Sequence, residues 1–243
     1  MANKKARRPS GGRDLQGRLT ALGGLVVIVG VAAAGLFFAG VLGSQGGGTT
    51  ETGIEIEDVT LVEAPPVPAL GDLDVSPREG SLAPDFVISD FDGARHRLSD
   101  FRGTPVYVNF WATWCIPCQR ELPDVQELAD RHKDDLAVIT VNRSEPLDRA
   151  EAFFGNIEKL NGEPGIHFDV DGLDPDDTLY NEYRGLGMPV SVFIDANGMV
   201  VKVFNGLIDL SIMEESVAKA IASAPVSGGD GGTNETAPGE AGS

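Results

Sequence analysis

The apolar positions of this chain follow three different patterns. From Leu19 to Gly43 the stretch LTALGGLVVIVGVAAAGLFFAGVLG carries no charged residue over 25 positions. At a helical rise of ~1.5 Å per residue it spans ~37 Å, more than the ~30 Å hydrocarbon core of a bilayer. Between residues 80 and 224, short apolar runs alternate with amphipathic stretches. From Pro225 to Ser243 the chain is mostly Gly, Ser, Thr, Glu and Pro, the composition of a disordered tail.

The middle region predicts alternating strands and helices. Asp85–Ser89 and Arg95–Leu98 flank Asp92-Gly93 and read as a β-hairpin. Val106–Trp111 is broken only by Asn109 and reads as a buried central strand. A helix is predicted from Ile116 to His132, with Cys118, Leu122, Val125 and Ala129 on one face. A second buried strand covers Leu136–Val141, and a helix covers Pro146–Leu160 with Ala150, Phe153, Phe154 and Ile157 inward. A short strand is expected at Ile166–Val170 and a short helix at Asp177–Tyr183. Val190–Ile194 and Val200–Phe204 flank Asn197-Gly198, a second hairpin, and Ile212–Ile221 is a closing helix. This order implies an α/β domain over residues 80–224. It has a central mixed β-sheet flanked by helices, an N-terminal β-hairpin and a central strand–helix insertion. Its length suits one hydrophobic core. Residues 44–79 read as a flexible linker, Gly/Thr-rich at Ser44–Gly53 and holding three prolines in Ala64–Ala69. Ile54, Ile56, Val59, Leu61 and Val62 leave room there for a short docked strand.

Charge adds a topology. Residues 1–18 hold Lys4, Lys5, Arg7, Arg8, Arg13 and Arg18 against Asp14, a net +5, so the remainder of a chain of net −18 carries −23. No Lys or Arg follows the apolar stretch until Arg78. The positive-inside rule then makes residues 1–18 a basic cytoplasmic tail, 19–43 a transmembrane signal anchor, and the body extracytoplasmic on a single-pass cell-membrane protein. A cleaved signal peptide is the competing reading, but its apolar region is usually 7–15 residues. A buried core helix fits the basic flank poorly. The first cysteine after the stretch is Cys115, which excludes a lipoprotein anchor. A strongly acidic body argues against nucleic acid, whose phosphates need clustered Lys and Arg.

The chain has two cysteines, Cys115 and Cys118. A pair three apart closes almost no loop, so it is a poor structural staple and a better redox switch or metal clip. A structural zinc site needs four ligands, and His96, His132 and His167 are scattered and read as surface or turn residues. No metal is expected. The acid-rich run Asp169–Asp177 lacks the ligand spacing of a calcium loop and reads as solvated loop. The pair lies where a buried strand gives way to a helix, so Cys115 falls among unpaired backbone N–H groups at the positive end of the helix dipole. Such a place favours the thiolate, the nucleophile of disulfide exchange. Pro117 fits the first turn, where its missing N–H costs nothing. Cys115 is then the attacking thiol and Cys118 the one that resolves the mixed disulfide. The cofactor is the pair itself, as a redox-active disulfide.

The run Val108-Asn109-Phe110-Trp111-Ala112-Thr113-Trp114-Cys115-Ile116-Pro117-Cys118 resembles the thioredoxin superfamily. More narrowly it is similar to the membrane-anchored extracytoplasmic branch of TlpA-, ResA- and DsbE/CcmG-like proteins. The likeness runs from about Gly80 to Ala222 and includes Ala83-Pro84-Asp85-Phe86, Leu98–Gly103, Pro123 and Gly187-Met188-Pro189 before Val190–Asp195. The resemblance implies a thioredoxin-like fold, a cis Pro189 beside the disulfide, and a substrate segment pairing as an added strand with the backbone at Met188. Trp114, Ile116, Pro117 and Met188 are the implied substrate-binding rim. Glu121 matches a carboxylate that this branch places near the sulfurs and would take the proton of Cys118; the blander reading is a surface helix charge. Two positions depart from the pattern. Asn109 stands where cytoplasmic thioredoxins carry Asp, and Val190-Ser191 replaces a common pair of threonines.

The resemblance further implies a protein-disulfide reductase acting on exported proteins, with apocytochrome c during cytochrome c maturation as the typical substrate. A membrane thiol carrier would supply electrons. Apolar Ile116 between the cysteines, where a His would favour an oxidant, leans the same way. Three rivals stand beside this reading. A peroxidase-type redoxin needs a Thr or Ser three residues before its attacking Cys, but Thr113 lies two before Cys115. The others are a copper-handling protein and a non-catalytic binding module of related fold.

Overall fold

The computed structural model describes residues 53–159 and 161–223. The basic tail, the predicted anchor at 19–43 and the acidic tail from Pro225 lie outside the described residues, among which no helix is long and apolar enough to cross a membrane.

Among the described residues, the strands and α-helices follow in this order: β1 (Thr60–Val62), β2 (Asp85–Asp90), β3 (Arg95–Arg97), β4 (Val106–Trp111), α1 (Ile116–Arg131), β5 (Ala137–Arg143), α2 (Leu147–Asn156), β6 (Val170–Asp174), α3 (Thr178–Glu182), β7 (Val190–Ile194), β8 (Val200–Asn205) and α4 (Leu210–Ala222). The strands form one mixed sheet in the order β1-β2-β6-β5-β4-β7-β8, with β3 paired to β2. Strands β4, β5 and β6 run parallel, and β7 lies antiparallel to β4. This is the mixed-sheet α/β order that the sequence pattern implies, in the thioredoxin-like arrangement that the resemblance implies.

Strand β4 is buried on both faces, which explains its near-continuous apolar run. Val106, Val108 and Phe110 enter one core with Ile139, Val141, Val190 and Val192. Tyr107 faces the other way and packs with Val125 and Leu128 of α1 and Met213 and Val217 of α4. The Tyr107 ring stacks on Phe193 at a centroid distance of 4.3 Å. A third cluster, under α2, gathers Trp111, Leu122, Phe154 and both cysteines, with Trp111 stacked on Phe154 at 4.3 Å. Each such stack adds roughly 0.5–1.5 kcal/mol beyond the area it buries. Both predicted hairpin turns form, with Gly93 and Gly198 at φ +83. At Gly198 the Arg102 guanidinium occupies the space a Cβ would need, so this glycine serves a close approach as well as a turn.

Three expectations are corrected. The strand predicted at Ile166–Val170 lies instead at Val170–Asp174, inside the acid-rich run read as solvated loop. The acids mislead because partners from elsewhere satisfy them. Asp174 is fully buried and accepts the backbone N–H groups of Leu179 and Tyr180 at the start of α3, at 3.1 and 2.8 Å. Gly172 lets β6 approach its neighbours: a Cβ there would meet Ile88 Cδ1 at 2.7 Å and the Thr140 carbonyl at 3.1 Å. Second, α2 ends at Asn156 rather than Leu160, because Gly155 and Asn156 are poor helix formers. Third, the described part of the supposed linker is docked. Val59 is buried, Thr60–Val62 pairs antiparallel with β2, and Ser89 Oγ bonds both backbone groups of Glu57. The short strand allowed by the apolar positions at 54–62 is real, and it covers an edge of β2 that would otherwise stand open.

Candidate active site

The site forms where the carboxyl end of β4 runs into α1. Cys115 is the N-cap residue of α1, and its Sγ accepts the backbone N–H of Cys118 at 3.2 Å. The two sulfurs are joined as a disulfide, with S–S 2.08 Å and Cα–Cα 5.2 Å. Pro117 sits in the first turn, as its missing donor allows. In this oxidised state Cys115 is 4% exposed and Cys118 1%. The attacking and resolving cysteines therefore differ little in accessible area. What separates the two is position at the helix end. The exposure belongs to the neighbours: Trp114 is 58% and Ile116 54% exposed, and Pro117 is also exposed. The Met188–Pro189 bond is cis. Met188 is half-buried and packs on the cluster that holds both cysteines, while the Pro189 carbonyl accepts the Gly206 N–H at 2.7 Å. All eight residues singled out from the sequence belong to α1, the loop before it or the Met188–Pro189 segment.

Glu121 is not a surface charge. It is 1% exposed, one turn after Cys118 on the same helix. Its Oε1 accepts Asn109 Nδ2 at 3.0 Å, Ser191 Oγ at 3.1 Å and the Tyr107 hydroxyl at 3.3 Å. Its Oε2 accepts the Ile208 backbone N–H at 3.1 Å. Burial pushes the carboxyl up to about 7, against the opposing pull of those four donors. A group that titrates near neutrality one helical turn from a redox cysteine is suited to taking and returning a proton. Asn109, the departure from the thioredoxin pattern, is thus a donor to this carboxylate.

Sequence reasoning missed the group that shapes the approach to Cys115. Glu145 is buried at the carboxyl end of β5 and accepts the Thr113 N–H and the Thr113 hydroxyl, both at 2.6 Å, as well as Asn142 Nδ2 at 3.0 Å. Gln119 Nε2 donates to the Thr113 carbonyl at 2.6 Å. Burial works against the charge on Glu145, but the Thr113 and Asn142 hydrogen bonds hold its carboxyl below the ordinary range. The available signal was topological: in parallel sheets, functional groups gather beyond the carboxyl ends of adjacent strands. Trp111 and Asn142 are register partners there. Glu145→Ala leaves two Thr113 donors and Asn142 without their acceptor. It should cost about 2–4 kcal/mol and slow exchange by loosening the Thr113–Cys115 turn. Urea unfolding and insulin-disulfide turnover of the variant check both effects; unchanged values in each would show that Glu145 does not hold the turn.

The three histidines lie apart. His96 pairs with Asp90, His132 with Asp135 and Glu214, and His167 is exposed beside Asp171.

Comparison with known proteins places this geometry. The redoxin family profile matches residues 78–221. Thiol-disulfide oxidoreductase ResA of Geobacillus thermodenitrificans is 42% identical over 128 residues, 52% of this chain and 69% of that protein. ResA of Bacillus subtilis is 33% identical over 138 residues, 56% of this chain and 73% of that one. Among solved structures, a Chlorobium tepidum protein described as the thiol:disulfide interchange protein DsbE superposes with a TM-score of 0.52 at 29% identity, covering 62% of this chain and 99% of its own.

Proposed function

With the chain a member of the redoxin family and a ResA/DsbE-like thiol–disulfide oxidoreductase, we propose that it is a membrane-anchored reductant of disulfides in exported proteins. The observation that carries the chemistry is the Cys115–Cys118 disulfide at the N-terminus of α1 with Glu121 buried one turn on.

In the reduced protein, the Cys115 thiolate attacks a substrate disulfide. A bond forms from Cys115 to one substrate sulfur, and the other sulfur leaves as a thiolate that takes a proton from water. Cys118 then gives its proton to Glu121, a neighbour at helical spacing. The Cys118 thiolate attacks Cys115, closing the internal disulfide and releasing the second substrate sulfur as a thiolate that takes a proton from water. Two electrons pass from the pair to the substrate. Trp114, Ile116, Pro117 and Met188 offer an apolar rim, and the backbone beside Pro189 offers main-chain pairing to an extended segment.

The location rests on the charge-free stretch 19–43 behind a basic tail. The reducing direction rests on apolar Ile116 and on the need for a reductant in an oxidising compartment. Apocytochrome c is the proposed typical substrate and a membrane thiol carrier the proposed donor. The test is capture: full-length Cys118→Ala, expressed in cells, accumulates proteins joined to Cys115, including cytochrome c precursors. A membrane-impermeant thiol reagent should label Cys115 in intact cells. Capture of cytoplasmic proteins alone, or labelling only after lysis, rejects the location; capture of exported proteins without cytochrome precursors rejects the substrate.

A further inference from the structure

The carboxylate of Glu121 presents a problem that its four donors do not solve. Donors suit a negative charge, yet a group that takes the Cys118 proton must also exist as a neutral acid. That acid needs an acceptor for its own O–H, and Glu121 is 1% exposed, so its neighbours in the fold must offer one. The surroundings are neutral: Asn109 and Tyr107 come from β4, Ser191 from β7, and the Ile208 N–H from the segment before α4. Asp209, next to Ile208, is engaged by Ser211 Oγ and the Ile212 N–H at the start of α4. On α1 itself the titratable neighbours are Cys118 and Asp124.

Of the four donors, the Asn109 amide and the Ile208 N–H only donate. The two hydroxyls can reverse. Tyr107 and Ser191 stand 2.9 Å apart, and either oxygen can be the donor between them. With Glu121 ionised, both hydroxyls point at Oε1. With Glu121 protonated, its O–H donates to one hydroxyl, whose own hydrogen turns to the other. Asn109 Nδ2 lies 3.1 Å from the Tyr107 oxygen and 3.3 Å from the Ser191 oxygen, so it supports either arrangement. The Tyr107 phenol is held for this by its stack on Phe193.

We propose that Tyr107 is a positioning residue for the resolving step: its hydroxyl, paired with Ser191, reverses its hydrogen bonding so that the buried Glu121 is accommodated both charged and protonated. The inference rests on the reading of Glu121 as the acceptor of the Cys118 proton. The balance is one proton: it leaves Cys118 Sγ as that thiolate attacks Cys115, resides on Glu121, and returns to solvent after the substrate thiol has gone. Loss of the Tyr107 hydroxyl takes a donor from the charged form and leaves Ser191 to accept from the neutral one. The acid form is therefore favoured.

The reduced protein is mixed with 5,5′-dithiobis(2-nitrobenzoate) in a stopped-flow instrument across pH 5–9 (roughly the span over which a neutral-range group titrates). The first thionitrobenzoate released reports attack by Cys115, the second resolution by Cys118. In the parent protein the second phase quickens as pH rises through neutrality. Tyr107→Phe, which keeps the ring, moves that midpoint up by about one pH unit and leaves the first phase in place. Ser191→Ala moves it in the same direction and decides the matter if the Tyr107 variant loses the parent's cooperative urea transition. Glu121→Gln removes the neutral limb. A limb that survives in Glu121→Gln overturns the reading of Glu121 itself. A limb lost in Glu121→Gln but unmoved in Tyr107→Phe overturns only the role of Tyr107.

Discussion

Cys115→Ser is expected to reduce turnover of a disulfide substrate by about a thousandfold or more, the scale on which loss of an enzymatic nucleophile is felt. The alcohol oxygen is not a nucleophile for sulfur at neutral pH, and no other thiol in the chain sits at a helix end. Sγ of Cys115 accepts the Cys118 N–H at 3.2 Å, so a thiolate there is met by a backbone donor as well as by the helix dipole. Serine accepts the same bond and caps α1 as well as cysteine, so the variant should fold with parental stability. Cys118→Ala behaves differently. The first bond still forms, the resolving thiol is missing, and the protein accumulates as a mixed disulfide. A single round of reaction therefore distinguishes the two: the first variant releases nothing, the second releases one thiol and stays covalently loaded. Mass spectrometry of the products reads this directly. Equal, near-normal turnover in both variants would rule out the assigned roles.

The second large effect is on stability. Folding lifts the Glu121 carboxyl to about 7 from its ordinary 4.5, so between these values the folded protein binds more protons than the unfolded chain. Stability from this group is therefore full at acid pH, falls as pH rises through neutrality, and stays low above it. The loss is on the order of 3 kcal/mol. Glu121→Gln removes this titration. It also turns an amide donor toward either the Ile208 N–H or the three donors on the other oxygen, which costs about 1–3 kcal/mol at all pH values. The variant should be the less stable protein at pH 5 and lose that disadvantage by pH 8. Urea midpoints of the two oxidised proteins at both pH values measure it, and the disulfide keeps the cysteines from titrating. Asp171, raised to about 6 chiefly by burial, contributes the same sign to both proteins and cancels in the difference. Parallel pH dependence in parent and variant would mean that Glu121 does not titrate as described.

Much of this site was legible because its chemistry is local. Two cysteines three apart, between a buried strand and an amphipathic helix, specify a thiol at a helix N-terminus by periodicity alone. Pro117 follows from its place in the first turn, while the rim role of Trp114 and Ile116 came from the family resemblance. Glu121 was singled out by the family resemblance, and its spacing of three residues along the helix agrees with a place on the same face as Cys118. Its burial was not legible. The groups that enclose it stand 12, 14, 70 and 87 residues away, at Asn109, Tyr107, Ser191 and Ile208. No window along the chain joins them. Glu145 was missed because its partner Thr113 is 32 residues off, across two parallel strands. The acid-rich run at 169–177 misled for the opposite reason: local composition argued for solvent, while Asp174 found its partners in the first turn of α3.

The amino-acid sequence by itself determined the α/β order, the paired hairpins, the redox pair and the unequal positions of its two cysteines. These follow from short-range rules: side-chain periodicity, turn chemistry and the unpaired amides at a helix end. The tertiary structure alone decided that Thr60–Val62 close a sheet edge, that Glu145 holds the turn before Cys115, and that Glu121 is an enclosed acid near neutrality rather than a solvated charge. Those outcomes depend on desolvation and on hydrogen bonds between strands distant in the chain, and both exist only once the sheet has brought β4, β5 and β7 side by side.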